Sequence, residues 1–184
     1  MSEDRHLLRR LRCGDKDALR RIYEKYRIDL FTVVVSLLHD AHVSEDCLQD
    51  VFVNLADSSR ALNIRHNLKG YLISCVVNRA RDKLRRRVTL SHRSLPESSY
   101  SSTPIDPAEE LITNEESVRL FEALAELPYQ QREAFVLHVQ GEVKFRHIAK
   151  LQGVSIKTVQ SRCRYATEKL RSALEKENRY EVSE

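Results

Sequence analysis

The segment between Lys144 and Arg171 has the residue types most suited to chemistry with a polyanion. It contains eight basic residues and one acidic residue, Glu168, which gives a net charge of +7. Cationic and amide donors at helical spacing suit the phosphates and the base edges of duplex DNA. Arg162, within the same run, is one candidate DNA contact. Helix periodicity turns the other candidates outward: Lys157, Thr158, Gln160, Ser161, Arg164 and Tyr165.

A helix-turn-helix pattern underlies this segment. Counted from Phe145, a small residue stands fifth (Ala149), a glycine ninth (Gly153) and a branched apolar residue fifteenth (Val159). Ser155 is placed to cap the second helix. An ordinary helical hairpin with a solvated basic face is the alternative, but the coincidence of pattern and charge favours DNA binding. The inner stripe predicted for the second helix is Ile156, Val159, Cys163, Ala166 and Leu170.

The charge distribution adds a second basic block. Residues 79–87 hold six basic residues and one acid, a net +5, whereas residues 88–117 hold one basic residue and six acids, a net −5. Two basic blocks separated by an acidic spacer indicate two contacts with one polyanion.

The composition predicts an all-α protein of two small helical domains joined by a flexible linker. Residues 91–107 contain six Ser and three of the four Pro, too little apolar surface to offset chain entropy. We therefore expect a first domain over residues 1–87, a linker over 88–112 and a second domain, ending in the helix-turn-helix, over 113–184.

One helix of the first domain presents an acidic stripe. Ser44 is expected to cap it. Its predicted buried face is Cys47, Leu48, Val51, Phe52 and Leu55. The residues left outward form the acidic stripe: Asp46, Gln49, Asp50 and Val53. An acidic, partly apolar stripe is unsuited to phosphates and indicates a protein-binding surface.

Asn114 is expected to cap the first helix of the second domain. The predicted inner face of this helix is Val118, Phe121, Leu124 and Ala125. Pro128 suits the first turn of the next helix, which is expected to stop near Gly141.

Four segments resemble the extracytoplasmic-function (ECF) group of bacterial RNA polymerase sigma factors in the sigma-70 family. Residues 44–52, SEDCLQDVF, are similar to the group's (A/S)EDLVQDVF, and residues 68–86 to its WL…IA.N…D..RR segment. Residues 127–133, LPYQQRE, resemble LP…QRE, and residues 158–162, TVQSR, resemble TVKSR. The order and the intervening linker agree over about residues 5–172.

This resemblance implies an alternative sigma factor that binds core RNA polymerase, recognises the −35 and −10 promoter elements and directs transcription initiation. It implies that the acidic stripe binds the β′ clamp, that the second domain reads the −35 element, and that the β flap of core polymerase and an anti-sigma factor are further partners. The residues that it assigns to the −10 element are Asn63, Arg65, His66, Asn78, Arg79, Arg81, Arg85 and Arg86.

Some positions depart from the group's pattern or admit another interpretation. Tyr71 stands where Trp is usual, and Lys157 replaces a Gly. Gln160 and Tyr165 stand where Lys or Arg is common, which leaves the −35 sequence open. Asn78 lies among apolar residues, so a buried, hydrogen-bonded structural role is the alternative to reading a flipped base.

Other classes of function are weaker. A stand-alone helix-turn-helix regulator would bind duplex DNA without polymerase, usually as a dimer. His39, Asp40, His42 and Cys47 match no familiar metal-ligand spacing, and no acid/base pair or phosphate-binding loop is present, so we expect no enzyme, metal or cofactor. Without a long apolar segment or signal peptide, the sequence predicts a cytoplasmic protein that does not enter a membrane.

Overall fold

The computed structural model describes residues 3–58, 64, 67–91 and 115–181. Within these ranges helices are the only regular secondary structure, as predicted, and none of the helices is long and apolar enough to cross a membrane. The chain divides into two compact units, Met1–Ser94 and Leu95–Glu184. The helices are α1 (Glu3–Arg12), α2 (Lys16–Leu38), α3 (Ala41–Asp57), α4 (Leu68–Ser91), α5 (Glu115–Ala125), α6 (Tyr129–Val139), α7 (Phe145–Gln152) and α8 (Ile156–Glu181).

In the first unit, α2 packs against α1, α3 and α4. The predicted stripe of α3 from Cys47 to Leu55 is buried, with Phe52 edge-on to Tyr23 at 5.0 Å between ring centroids. Helix α4 is buried over a wide arc, because Ile73 and Val77 face the core as well as Leu72 and Val76. It continues through Ser91, four residues into the predicted linker.

The start of α3 corrects one prediction. Asp40, not Ser44, is the N-cap, and its carboxylate accepts a hydrogen bond from the Val43 amide at 2.9 Å. His39 closes α2 in the left-handed region, so the chain reverses within one residue and α3 begins earlier than expected. Ser44 is instead buried inside the first turn, where its hydroxyl donates to the Asp40 carbonyl at 2.6 Å.

In the second unit, α8 packs against α5, α6 and α7. The inner face predicted for α5 was wrong at two positions, since Val118 is 40% exposed and Ala125 is exposed, while Leu124 is fully buried. Helix α6 ends before Gly141, as predicted. A side chain at Gly141 would lie 2.9 Å from the Leu137 carbonyl oxygen, so only glycine fits there.

Candidate nucleic-acid interface

The turn between α7 and α8 has the geometry that the spacing predicted. Gly153 adopts φ 67° and ψ 32°, and its amide donates to the Ala149 carbonyl. Ala149 is 6% exposed where the helices meet, and Val159 is completely buried. A non-glycine residue at Gly153 would be strained by its left-handed backbone conformation rather than by crowding. The predicted helix-turn-helix is therefore present.

Ser155 caps α8 as expected. Its Oγ accepts a hydrogen bond from the Thr158 amide at 3.1 Å and lies 2.8 Å from the Thr158 hydroxyl. Thr158 is half-buried in this contact, so its side chain serves the helix start. Ile156, the first residue of α8, was predicted to be buried, and this was wrong: it is 45% exposed.

The remaining candidates on α8 share one exposed surface, which we call the reading face. The aromatic ring of Tyr165 lies 5.3 Å from the Arg164 guanidinium. Arg164 also approaches Glu168 at 3.8 Å, a loose contact between exposed groups. The reading face is Lys157, Gln160, Ser161, Arg164 and Tyr165.

Arg162 points elsewhere. Its side chain is half-buried, and its Nη1 donates to the Gln152 Oε1 at 2.6 Å. The structure thus separates Arg162 from the reading face, although both belong to the same helix.

In the first unit all four members of the acidic stripe are exposed. They recur at three- and four-residue spacing on α3, and Val53, at 60% exposure, supplies an apolar end. The stripe has the solvent access that a protein partner requires.

The carboxylates of the stripe are paired with cations of α4. Asp46 Oδ2 lies 3.3 Å from Lys83 Nζ, and Asp50 Oδ2 lies 4.0 Å from Arg79 Nε. A third pair joins Arg87 to Asp40. Residues 79, 83 and 87 are four apart and lie along one side of α4. We call these three contacts the ion-pair ladder.

The ladder affects the ionisation of Asp40. Burial opposes its ionisation, but the Val43 amide and the Arg87 guanidinium together hold the pKa of Asp40 below its usual 3.8. Asp40 remains charged at neutral pH, both as a helix cap and as an ion-pair partner.

A second side of α4 carries Asn78, whose side chain is an amide. Asn78 is exposed, which removes the alternative of a buried structural asparagine. Three- and four-residue spacing places Arg81 and Arg85 on the same side, and Arg85 Nη1 lies 3.9 Å from Asp82 Oδ1. Arg86 is exposed beside them. Asn63, Arg65 and His66 lie outside the described residues.

The metal alternative gains no geometric support. Among the residues that the structure describes, no group of three or more His, Cys, Asp or Glu could hold a metal ion. Asp40 is engaged as a cap and by Arg87. Burial raises the pKa of the Cys47 and Cys163 thiols, so both stay protonated at neutral pH.

Three residues with roles in these surfaces were missed by sequence reasoning. Lys83 pairs with Asp46, and its spacing from Arg79 could have revealed it. Gln152 accepts a hydrogen bond from Arg162 and donates one to Glu133. A sequence gives no signal for Gln152, because it is a polar residue at a helix end with no periodic partner.

Comparison with known families matches one family model to each unit. The family model "Sigma-70 region 2" matches residues 22–89, and "Sigma-70, region 4" matches residues 117–170, which together span about two thirds of the chain. The chain belongs to the ECF group of the sigma-70 family. It is an alternative sigma factor that directs promoter recognition by RNA polymerase.

Individual relatives of this sigma factor are similar over nearly their whole length. The ECF RNA polymerase sigma factor SigK of Mycobacterium tuberculosis (strain ATCC 25618 / H37Rv) is 24% identical over 175 residues, covering 92% of each chain. The SigK of Mycobacterium sp. (strain KMS) is 25% identical over 174 residues, covering 91% of this chain and 89% of the relative.

Two solved structures share the fold. One is the sigma factor RpoE in complex with the anti-sigma factor NepR from Bartonella quintana, with a TM-score of 0.68, 21% identity, and coverage of 85% of this chain and 98% of that one. The other is CnrH in complex with the cytosolic domain of CnrY, with a TM-score of 0.66, 21% identity, and coverage of 95% and 98%.

Proposed function

We propose that this sigma factor divides promoter recognition between its two units. Residues 1–87, with the continuation of α4 to Ser91, bind core polymerase and the −10 element. Residues 113–184 bind the −35 element, and the part of residues 88–112 that follows α4 links the two domains. The observation that carries this division is the distribution of exposed charge. The first unit has acids on α3 and cations with an amide on α4, and the second unit has cations with an amide on α8.

The acidic stripe of α3 binds the β′ clamp of core polymerase. Asp46 and Asp50 supply charge, Gln49 a hydrogen-bonding amide and Val53 an exposed apolar contact. Charge-complementary surfaces around an apolar contact favour specific association. Because the carboxylates already contact Lys83 and Arg79, binding to the clamp exchanges one set of cations for another.

Helix α4 binds the −10 element. Asn78 reads a flipped base with its amide, which can both donate and accept. Arg81, Arg85 and Arg86 hold the phosphates of the melting duplex, and Arg79 joins them when it leaves Asp50. Asn63, Arg65 and His66 complete the pocket for that base.

The reading face of α8 enters the major groove of the −35 element. The start of a recognition helix contacts base edges, so Lys157 and Gln160 contact bases. Gln160 favours adenine, to which an amide can bond twice. Thr158 contributes mainly through the capped first turn.

Further partners follow from the family and its relatives. The second unit contacts the β flap of core polymerase. An anti-sigma factor is a partner as well, because two proteins of this fold were solved as complexes with NepR and CnrY. Polymerase provides the chemistry, so the chain needs no catalysis of its own. Its place of action is the cytoplasm, where polymerase works.

The test is transcription by core polymerase with and without the purified chain, with start sites mapped. We expect specific starts only in the presence of the chain, preceded by two shared sequence elements. Failure to join core polymerase, or starts without shared elements, would contradict the proposal. Tight duplex binding as a dimer without polymerase would favour the stand-alone regulator.

A further inference from the structure

A buried polar network links the helices of the second unit. Glu133 on α6 is 1% exposed, and its Oε1 accepts a hydrogen bond from the Tyr129 hydroxyl at 2.9 Å. Its other oxygen, Oε2, accepts from the Gln152 Nε2 at 2.8 Å. A buried carboxylate is tolerated only when it is hydrogen-bonded, so these contacts hold α6 and the end of α7 together.

Gln152 also forms a hydrogen bond with α8. Its Nε2 also donates to the Gln130 carbonyl at 3.1 Å, and its Oε1 accepts from Arg162 at 2.6 Å. An ionised carboxylate only accepts and a guanidinium only donates. The Gln152 amide satisfies both neighbours only with its Nε2 toward Glu133 and its Oε1 toward Arg162, so the two neighbours fix its orientation.

We infer that Arg162 is a positioning residue for the reading face and not itself a DNA contact. Through Gln152 and Glu133 it holds α8 at a fixed angle to α6 and α7, and this angle decides whether Gln160 and Lys157 meet base edges. The inference rests on the proposed function of α8. It assigns Arg162 to promoter discrimination, whereas Arg164 contributes general affinity for phosphate.

Salt dependence separates the two roles. A cation that neutralises a phosphate releases counterions, and removing it lowers the slope of log affinity against log salt by about 0.9. Loss of a positioning residue leaves that slope nearly unchanged and weakens the preference for the correct sequence.

The experiment uses holoenzyme made from core polymerase and the full chain, binding one promoter with its mapped −35 element and one with that element scrambled. Arg162→Gln and Arg164→Gln remove the same charge two residues apart. We expect Arg162→Gln to lower the preference about tenfold, as for one lost base contact, with an unchanged slope. Arg164→Gln should lower the slope while both promoters are bound more weakly.

A compensating pair of substitutions tests the network itself. Gln152→Glu places two carboxylates side by side and should lower discrimination as Arg162→Gln does. Adding Glu133→Gln restores one donor between the two side chains, and we expect Glu133→Gln with Gln152→Glu to recover most of the discrimination. A phosphate contact by Arg162 would not respond to these exchanges.

The outcomes are distinct. Equal reductions of slope by Arg162→Gln and Arg164→Gln, with the preference kept, would overturn the inference. So would failure of the double variant to recover discrimination while its melting temperature matches that of the wild type. If wild-type holoenzyme does not distinguish the two promoters, the proposed function fails, and the melting temperatures still test the network: Gln152→Glu should lower the value and the added Glu133→Gln should restore it.

Discussion

The helix pairs α3–α4 and α7–α8 differ in whether their basic residues are paired with carboxylates of the neighbouring helix. On α4, Arg79 and Lys83 lie within 4.0 Å of carboxylates on the neighbouring helix. On α8, Arg164 of the reading face lies 3.8 Å from Glu168, and Arg162 is turned inward to a neutral amide. The ion pairs lower the positive electrostatic potential at the surface of α4, whereas the reading face of α8 keeps its positive potential toward solvent.

This difference separates a coupled surface from an independent one. Exposed ion pairs are worth only ~0.2–1 kcal/mol, so the ladder opens easily when a stronger partner arrives. A clamp that takes Asp46 and Asp50 leaves Lys83 and Arg79 available to phosphate. The first unit should therefore bind DNA better once polymerase is bound, and the second unit should not need this help.

The largest expected effect comes from reversing the acidic stripe. Asp46→Lys with Asp50→Lys should weaken core association at least about 30-fold, the ~2 kcal/mol of an interface hot spot. Duplex binding by the second unit should stay unchanged. Competition with labelled wild-type chain for core polymerase measures the first effect, and gel shift on −35 duplex the second.

A charge exchange serves as its control. Asp46→Lys with Lys83→Asp keeps the ion pair in reversed order, so a purely structural role of Asp46 predicts full core binding. Recovery of core binding in that variant would contradict the clamp contact, and so would equal loss of core and duplex binding in the stripe variant.

The next largest effect concerns Asn78. Asn78→Asp keeps the shape and removes the donor, and one lost base contact should lower open-complex formation about tenfold. Permanganate reactivity of unpaired thymines near −10 measures it. Asn54→Asp, an exposed site on α3, adds the same charge. Equal effects of the two substitutions would point to charge alone.

A smaller effect should run in opposite directions in two assays. Asp50→Asn releases Arg79 from an ion pair worth ~0.2–1 kcal/mol. The free chain should therefore bind single-stranded −10 DNA a few-fold more tightly. The same variant should bind core polymerase less tightly, because the stripe loses a charge. High salt should erase the gain. Asp29→Asn is the matched control, because Asp29 pairs with Lys69 of α4 at 2.8 Å, outside the basic run. A gain of equal size there would argue against the ladder.

The smallest effect is on stability. The lowered pKa of Asp40 contributes stability at pH values above its ordinary 3.8, and this is lost as the pH falls through the folded-state value. Arg87→Gln should raise that pKa and destabilise the first unit by less than ~1 kcal/mol at pH 7. Urea unfolding at pH 7 and pH 3 should show the difference shrinking in acid; a difference that grows in acid would contradict this assignment.

Sequence reasoning succeeded where periodicity decides the outcome. The buried stripe of α3, the turn at Gly153 and the inner position of Val159 follow from spacing alone. It gave less where a neighbouring helix decides. The sequence presents Arg162 as one more cation on a basic helix and gives no sign of its hydrogen bond to Gln152, ten residues away. Ser44 was predicted as the cap in place of Asp40 because the tight reversal at His39 lacks the glycine that usually marks such a turn.

The most direct test of the account is start-site mapping with holoenzymes of the wild-type chain and its Asp46→Lys, Asp50→Lys variant. We predict that the wild type produces defined transcripts whose upstream regions share a −35 and a −10 element, and that the variant produces none above core polymerase alone while still binding −35 duplex. Transcripts at the same sites with the variant, or wild-type starts without shared upstream elements, would contradict the division of promoter recognition between the two units.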